Sequence, residues 1–128
     1  MRTHQGSCHC GRVKFEVRAE IAVLNECNCS LCRRKGSLYV SALDADQVRV
    51  IAGESDLTTY QFGTGTAAHL FCRHCGIHPF HHPRIRPSGW SVNARCLDNF
   101  EQLQTLPVRK FDGQNWEEAA ARSRRNSE

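Results

Sequence analysis

Seven of the eight cysteines stand in short, closely spaced motifs, and this clustering limits what the chain can fold into more than any other feature. The motifs are a C-x-C, a C-x-C-x-x-C and a C-x-x-C, and only Cys96 stands apart. In a C-x-x-C turn both sulfurs come to one side of the backbone, where they can share a tetrahedral metal ion. Thiolate clusters select zinc or iron–sulfur, and zinc is the usual ion.

The clustered cysteines divide into a set of four and a set of three. A structural zinc site takes four protein ligands, whereas a catalytic site often has three and an open fourth position. The sequence therefore predicts a closed zinc site on the two pairs and a second zinc, with one open position, on the remaining three. The pairs form the four-cysteine site (Cys8, Cys10, Cys72 and Cys75), and the other three form the cysteine triplet (Cys27, Cys29 and Cys32).

Two other arrangements would use the same cysteines. Disulfides are disfavoured because C-x-C pairs are too close to bridge comfortably and the first residues carry no apolar signal segment. Cytosolic thiols stay reduced, so we expect a cytoplasmic protein. Alternatively, both metal sites are structural, and Cys96 or a histidine completes the triplet. Cys96 by itself is typical of a small buried hydrophobic residue.

The apolar core is thin, so we expect metal binding to contribute to the folding free energy. The 128 residues fit one domain, but leucine, isoleucine, valine and phenylalanine supply only 27 of them. That share is near the limit of about 20% below which chains tend not to fold unaided. No apolar run reaches the roughly 18 residues that span a membrane, so we expect no membrane partner.

The formal charge of +4 does not indicate a nucleic-acid partner. Seven zinc-bound thiolates and two zinc ions would reduce that charge by about three, because a coordinating thiol is deprotonated. The aromatic residues also do not alternate with a long basic stripe, which single-strand binders need. We therefore expect no nucleic-acid partner.

Alternating polar and apolar residues predict short strands in six segments: 12–17, 38–40, 48–51, 58–62, 68–71 and 90–93. Glycines and prolines separate them, which is typical of a mainly β domain. We expect a single domain over residues 1–128, with its core at about 5–116. A capping residue, acids and alanines predict a short C-terminal helix that begins near Asp112. Residues 122–128 are predicted to form a frayed tail.

Three histidines, His78, His81 and His82, flank prolines in a turn-rich stretch. A partly exposed loop is the simpler interpretation. Proton transfer near neutral pH is the other, because the ordinary pKa of histidine lies there.

Four motifs, in this order, resemble the glutathione-dependent formaldehyde-activating enzyme family, whose domain is shared with centromere protein V. They are residues 6–11, 27–36, 71–76 and 93–98, and the similarity runs from about Gln5 to Trp116, including the segment 111–116. The resemblance implies an Mss4-like fold of coiled β-sheets. It also implies a structural zinc on the four-cysteine site and a catalytic zinc on Cys27, Cys29 and Cys32. The implied reaction joins glutathione and formaldehyde to S-hydroxymethylglutathione, which is a carbon–sulfur lyase reaction in reverse.

The two carboxylates of glutathione need cationic partners, and arginine suits them because it binds carboxylates in a bidentate manner. We predict substrate contacts from Arg33, which follows the triplet, and from Arg95, with Arg84 and Arg86 as further candidates. Alternatively, Arg33 belongs to a solvated basic turn.

A second hypothesis for the whole chain is a non-catalytic binding module stabilised by two structural zinc sites. The sequence leaves the oligomeric state open.

Overall fold

The computed structural model describes the backbone of residues 1–126 and the side chains of residues 1–123. Within this part of the chain ten strands and three α-helices alternate with short 3₁₀ turns. The strands are β1 (Arg2–Ser7), β2 (Lys14–Ala19), β3 (Leu24–Cys27), β4 (Tyr39–Leu43), β5 (Val48–Ala52), β6 (Leu57–Tyr60), β7 (Ala68–Cys72), β8 (Phe80–His82), β9 (Trp90–Asn93) and β10 (Val108–Phe111). The helices are α1 (Ser30–Lys35), α2 (Phe100–Leu103) and α3 (Trp116–Asn126). The predicted mainly β class with a C-terminal helix is confirmed.

The strands form two sheets. A three-stranded antiparallel sheet has the order β1-β2-β5, and a seven-stranded sheet has the order β10-β3-β4-β9-β8-β7-β6. In the larger sheet only β3 and β10 pair in parallel among the described strands, with Cys27 beside Phe111 at the end of the ladder. This pairing brings the segment that follows β10 next to the first cysteine of the triplet.

The core lies where the two sheets face each other. Along β2 the side chains of Phe15, Val17 and Ala19 are buried and those between them are not, which is the predicted period of two. The ring of Phe15 meets the ring of Phe80 from the other sheet edge to face, with centroids 5.2 Å apart. Each buried phenylalanine contributes about 1.5–3 kcal/mol, so this contact is a main link between the sheets.

Each of the six predicted segments contains a strand, but four strands were not predicted. They are β1, β3, β8 and β10. The buried positions of β1 are His4 and Gly6, so the strand lacks an apolar alternation although its burial alternates. Three of the four residues of β10 are exposed, and β10 exists because it pairs with β3. Pairing partners of this kind leave no mark in a local sequence pattern.

The C-terminal helix begins later than the predicted Asp112 and also ends later than predicted. A 3₁₀ turn over Gly113–Asn115 leads into α3, which continues to Asn126. The first part of the predicted tail is therefore helical, and residues 127–128 lie outside the described residues. Among the described helices, none is long and apolar enough to cross a membrane.

Candidate metal centres and the adjoining cavity

The four-cysteine site joins the two sheets. Cys8 and Cys10 follow β1, Cys72 ends β7, and Cys75 lies in the next turn, with all four sulfurs within 4.8 Å of one another. The Sγ atom of Cys10 lies 3.6 Å from that of Cys8 and 3.7 Å from that of Cys72. A tetrahedral ion with metal–sulfur bonds of about 2.3 Å has sulfurs about 3.8 Å apart. The donor set and its spacing therefore fit one zinc ion, and all eight cysteines are free thiols.

Tight backbone turns aim these sulfurs at a common point. Gly76 follows the C-x-x-C pair with a φ of 77°, a left-handed conformation that suits glycine, and its amide donates to the carbonyl of Cys72 at 2.8 Å. On the opposite pair, the amide of Val13 donates to the Sγ atom of Cys8 at 3.4 Å. Such amide–sulfur contacts orient the ligands of a metal site.

Charged neighbours support the same site. Hydrogen bonds from the backbone and side chain of Arg12 lower the pKa of Cys10 to about 6, which favours the thiolate that binds metal. The carboxylate of Asp56 contacts His74 at 2.9 Å and Arg73 at 3.3 Å, and the hydrogen bond from His74 lowers the pKa of Asp56. These contacts hold the C-x-x-C turn against residues 54–56.

The cysteine triplet surrounds the start of α1. Cys27 ends β3, Cys29 is the N-cap of α1, and Cys32 lies in its first turn, with the three sulfurs within 4.8 Å of one another. The amide of Cys32 donates to the Sγ atom of Cys29 at 3.3 Å, and the hydroxyl of Tyr39 donates to the Sγ atom of Cys32 at 3.3 Å. The chain thus presents three sulfurs to one point, and amide and hydroxyl donors fix their orientation.

The three thiols share their protons unequally. Hydrogen bonds from Cys27 and Cys32 hold the pKa of Cys29 well below its ordinary value. The hydrogen bond between Cys27 and Cys29 raises the pKa of Cys27. Metal binding at the triplet therefore starts from one favoured thiolate and displaces the remaining protons. Three thiolates fit zinc and leave one position of a tetrahedron to a ligand from outside the triplet.

Gly113 lies so close to the triplet that it has no room for a side chain. A Cβ atom at this position would come within 2.7 Å of the Sγ atom of Cys27 and 2.8 Å of the Cβ atom of Cys29. Real carbon contacts lie at about 3.5–4.0 Å. The segment after β10 therefore closes over the triplet only because residue 113 has no side chain.

Polar contacts fasten the same segment to the loop between the first two triplet cysteines. The side-chain amide of Asn28 donates to Asp112 at 2.9 Å and its oxygen accepts from the amide of Gln114 at 3.1 Å. Residues 111–116 belong to the resemblance, but their sequence predicted only the start of a helix near Asp112 and no part in the site. An Asp-Gly pair directly before a helix is the turn signal that could have indicated such a part.

A cavity of about 580 Å³ opens beside the triplet. All three triplet cysteines line it, whereas none of the four-cysteine site does. Other walls carry the aromatic rings of Phe62 and Trp116 and the imidazoles of His69 and His81. Pockets of roughly 300–1,000 Å³ hold small organic ligands, so the triplet is placed to meet one.

Two arginines lie at this cavity, and they are not the two favoured from the sequence. Arg84 and Arg86 line it. Arg33 is exposed on α1, and Arg95 is exposed with its guanidinium 5.3 Å from the ring centroid of Phe100. Neither residue lines the cavity. A substrate contact from Arg33 or Arg95 therefore stays a prediction.

The remaining residues singled out from the sequence lie in different surroundings. Cys96 belongs to neither cluster among the described residues, and burial raises its pKa to about 12, which suits a protonated, hydrophobic thiol. His82 contacts the carbonyl of Gly89 at 2.7 Å, and His78 lies beside the ring of Phe71. His81 alone of the three histidines reaches the cavity.

The chain is similar to known proteins in both sequence and structure. A family model described as "Glutathione-dependent formaldehyde-activating enzyme" matches residues 3–111. A protein of Halomonas elongata, named provisionally as a glutathione-dependent formaldehyde-activating enzyme, is 34% identical over 79 residues, which cover 56% of this chain. The match spans only 50% of the length of that relative. A crystal structure of a Rhodobacter sphaeroides protein superimposes with a TM-score of 0.73 at 41% identity, covering 82% of this chain and 99% of that one.

Proposed function

Because the chain belongs to the glutathione-dependent formaldehyde-activating enzyme family, we propose that it joins a small thiol to an aldehyde through a carbon–sulfur bond, with glutathione and formaldehyde as substrates. In reverse the reaction is that of a carbon–sulfur lyase. The observation that carries the proposal is the cavity, because the triplet lines it and the four-cysteine site does not. A site with reactive chemistry needs access for a substrate, and a structural site does not.

The proposal includes two zinc ions per chain, one on each cluster. The sulfur spacing of both clusters supports this assignment. Zinc at the triplet would favour the thiolate form of an incoming thiol, and the thiolate is the nucleophile toward a carbonyl carbon. We place the reaction in the cytoplasm, where free thiols such as the eight of this chain stay reduced.

The chain's own cations at the cavity would bind the carboxylates of the thiol. The guanidinium of Arg84 lies 3.7 Å from the ring centroid of Trp116 and pairs with Glu117 at 2.9 Å, while Arg86 pairs with Asp44 at 2.6 Å. Glu117 and Asp44 are 84% and 67% exposed. Exposed ion pairs of this kind are worth only about 0–1 kcal/mol, so a substrate carboxylate can replace the partner at small cost.

The test is the rate of S-hydroxymethylglutathione formation, followed by exchange NMR with and without protein. We expect the wild type to exceed the spontaneous rate, Cys32→Ser to lose the acceleration, and Cys96→Ser, a cysteine outside both clusters, to keep it. Arg84→Ala should raise KM more than it lowers kcat, because it removes binding that is uniform along the reaction. A wild-type rate equal to the spontaneous one, with other thiols as well, would favour the non-catalytic zinc module.

A further inference from the structure

A row of polar side chains, three of them buried, runs from the triplet along the cavity wall. Tyr39, which donates to Cys32, meets the imidazole of His81 edge to face with ring centroids 4.9 Å apart. The ring of His81 stacks on that of His69 at 4.6 Å, with 21° between the planes. At the end of the row, Nζ of Lys35 lies 3.4 Å from Nδ1 of His69. The row leads from a metal-binding sulfur to two imidazoles that line the cavity.

The contact with Lys35 determines which nitrogen of His69 carries the proton. Burial lowers the pKa of Lys35, and the nearby cysteine sulfurs act in the opposite direction. In its ammonium form Lys35 has three donors and no acceptor, so Nδ1 of His69 then accepts from it. Burial, reinforced by the charge of Lys35, lowers the pKa of His69 to about 4, and the ring is therefore neutral near pH 7. A neutral ring that accepts at Nδ1 carries its hydrogen on Nε2. No hydrogen bond within the described residues occupies Nε2, which leaves a donor for a ligand.

His81 is buried as well, and one of its ring nitrogens lacks a hydrogen-bond partner among the described residues. Its residue is only 7% exposed, and its Nδ1 atom has no hydrogen-bond partner among the described residues. Burial lowers its pKa well below the ordinary value, so this ring is neutral as well. Buried polar atoms are nearly always hydrogen-bonded in folded proteins. His81 therefore brings to the cavity wall an imidazole whose hydrogen bonds are incomplete within the described residues, although its Nδ1 atom is itself buried.

We propose that His69 and His81 form an imidazole subsite that binds the carbonyl oxygen of the small aldehyde and holds its carbon beside the triplet. The inference rests on the proposed function and assigns the recognition of the second substrate to residues of this chain. A neutral pair suits an uncharged oxygen, whereas the carboxylates of the thiol go to the arginines at the cavity. Lys35 acts through His69 and is a positioning residue.

The step balances without a further reactant. The sulfur–hydrogen bond of the thiol breaks and the carbon–sulfur bond forms. The π pair of the carbonyl moves to oxygen, and the proton that sulfur released ends on that oxygen as the new hydroxyl. The Nε2–H group of His69 donates to the oxygen while negative charge builds up on it. Donors placed where charge develops lower the barrier of a reaction.

The first test reads the tautomer and needs no turnover. Nitrogen-15 NMR of histidine-labelled, zinc-loaded protein should show His69 protonated on Nε2 in the wild type. Lys35→Met should give a mixture that includes the Nδ1–H form, because the donor to Nδ1 is lost. Arg34→Met, on the same helix and bonded only to the Ser30 carbonyl among the described residues, should leave the tautomer unchanged. A wild-type ring protonated on Nδ1 would overturn the proposal.

The second test uses the exchange NMR rate with glutathione and formaldehyde. His69→Leu should lower kcat about 100-fold, the scale for one lost donor to a developing oxyanion, with little change in the KM for glutathione. His69→Gln, whose side-chain amide can place an N–H group near Nε2, should recover most of the rate. His78→Leu is the matched control, because His78 also has an unpartnered Nδ1 atom but does not line the cavity.

Equal rates for the leucine and glutamine variants, or an equal loss in His78→Leu, would overturn the subsite. Zinc content and the thermal unfolding midpoint, measured on each variant, separate a lost donor from a lost fold. If His69→Leu does not fold, the wild-type tautomer decides the matter. A wild type that does not accelerate the reaction would refute the proposed function instead. A wild type that does, with an unimpaired His69→Leu, would refute this inference alone.

Discussion

Gly113→Ala places one methyl group against the cysteine triplet, whose atoms are its three nearest neighbours. In the structure this carbon would lie 2.7 Å from the Sγ atom of Cys27 and 2.8 Å from the Cβ atom of Cys29. Ordinary contacts begin near 3.5 Å, so the overlap with each atom is about 0.7–0.8 Å. Both neighbours sit at the end of a paired strand or at a helix N-cap, where the backbone has little room to move. The triplet itself must therefore distort.

The expected loss of zinc affinity is large because a metal site tolerates only small displacements of its ligands. Metal–ligand distances hold to within about 0.2 Å, and a displacement of about 0.7 Å removes Cys27 from the ligand set or strains the other two. Loss of support at a metal ligand costs about 10–100-fold in affinity. That range corresponds to about 1.4–2.8 kcal/mol of binding free energy. The fold should lose less, since overpacking at a half-buried position falls near the lower end of about 1–3 kcal/mol.

The assay is a competition for zinc with a chromophoric chelator, followed together with thermal unfolding. We expect Gly113→Ala to release the zinc of the triplet at a 10–100-fold lower chelator concentration than the wild type. The zinc of the four-cysteine site should leave at the wild-type concentration. Gly65→Ala is the control: its φ of 72° costs an alanine about 1 kcal/mol of stability, but its Cβ atom meets no heavy atom within 4 Å. Wild-type zinc affinity in Gly113→Ala, or an equal affinity loss in Gly65→Ala, would refute this reasoning.

Three further predictions concern stability. Cys75→Ser should unfold or precipitate the chain, whereas Cys29→Ser should stay folded, because a structural zinc supplies folding free energy in a small domain; similar melting curves would contradict this. Phe80→Ala should cost about 3–5 kcal/mol in urea denaturation, since the ring is buried between the sheets, and a loss below 1 kcal/mol would show that the sheets do not depend on it. The contact with His74 depresses the pKa of Asp56 below its ordinary 3.8, so its stabilisation is complete above about pH 4 and is lost as the pH falls further. Asp56→Asn should therefore make acid unfolding below pH 4 less steep, and an unchanged acid transition would exclude this contribution.

The division of the cysteines could be read from the sequence because ligand number is a counting argument. Four cysteines in two pairs and three in one motif predicted two clusters, and the structure contains those two clusters within the described residues. The strands with apolar alternation were predicted for a similar reason, since β2 buries every second side chain. Both features are local, or they depend only on residue type.

The parts that were missed depend on distant pairing. The strand β10 has three exposed residues of four, and only its parallel partner β3 makes it a strand. Its position then brings Gly113 onto the triplet, 84 residues after Cys29, and no local pattern contains that contact. The sequence could not show which arginines line the cavity, for the same reason. Arg33 is next to the triplet in sequence, yet Arg84 and Arg86 line the cavity because the loop after β8 runs along it.

The central claim is that one cluster holds the fold and the other performs chemistry, and stepwise zinc removal tests it most directly. Native mass spectrometry during titration with a mild chelator, with the exchange NMR rate and the unfolding midpoint measured on the same samples, gives all three quantities. We predict a one-zinc species that has lost the acceleration and keeps the four-cysteine site and the folded state. Loss of both ions together, or full acceleration in the one-zinc species, would contradict the account.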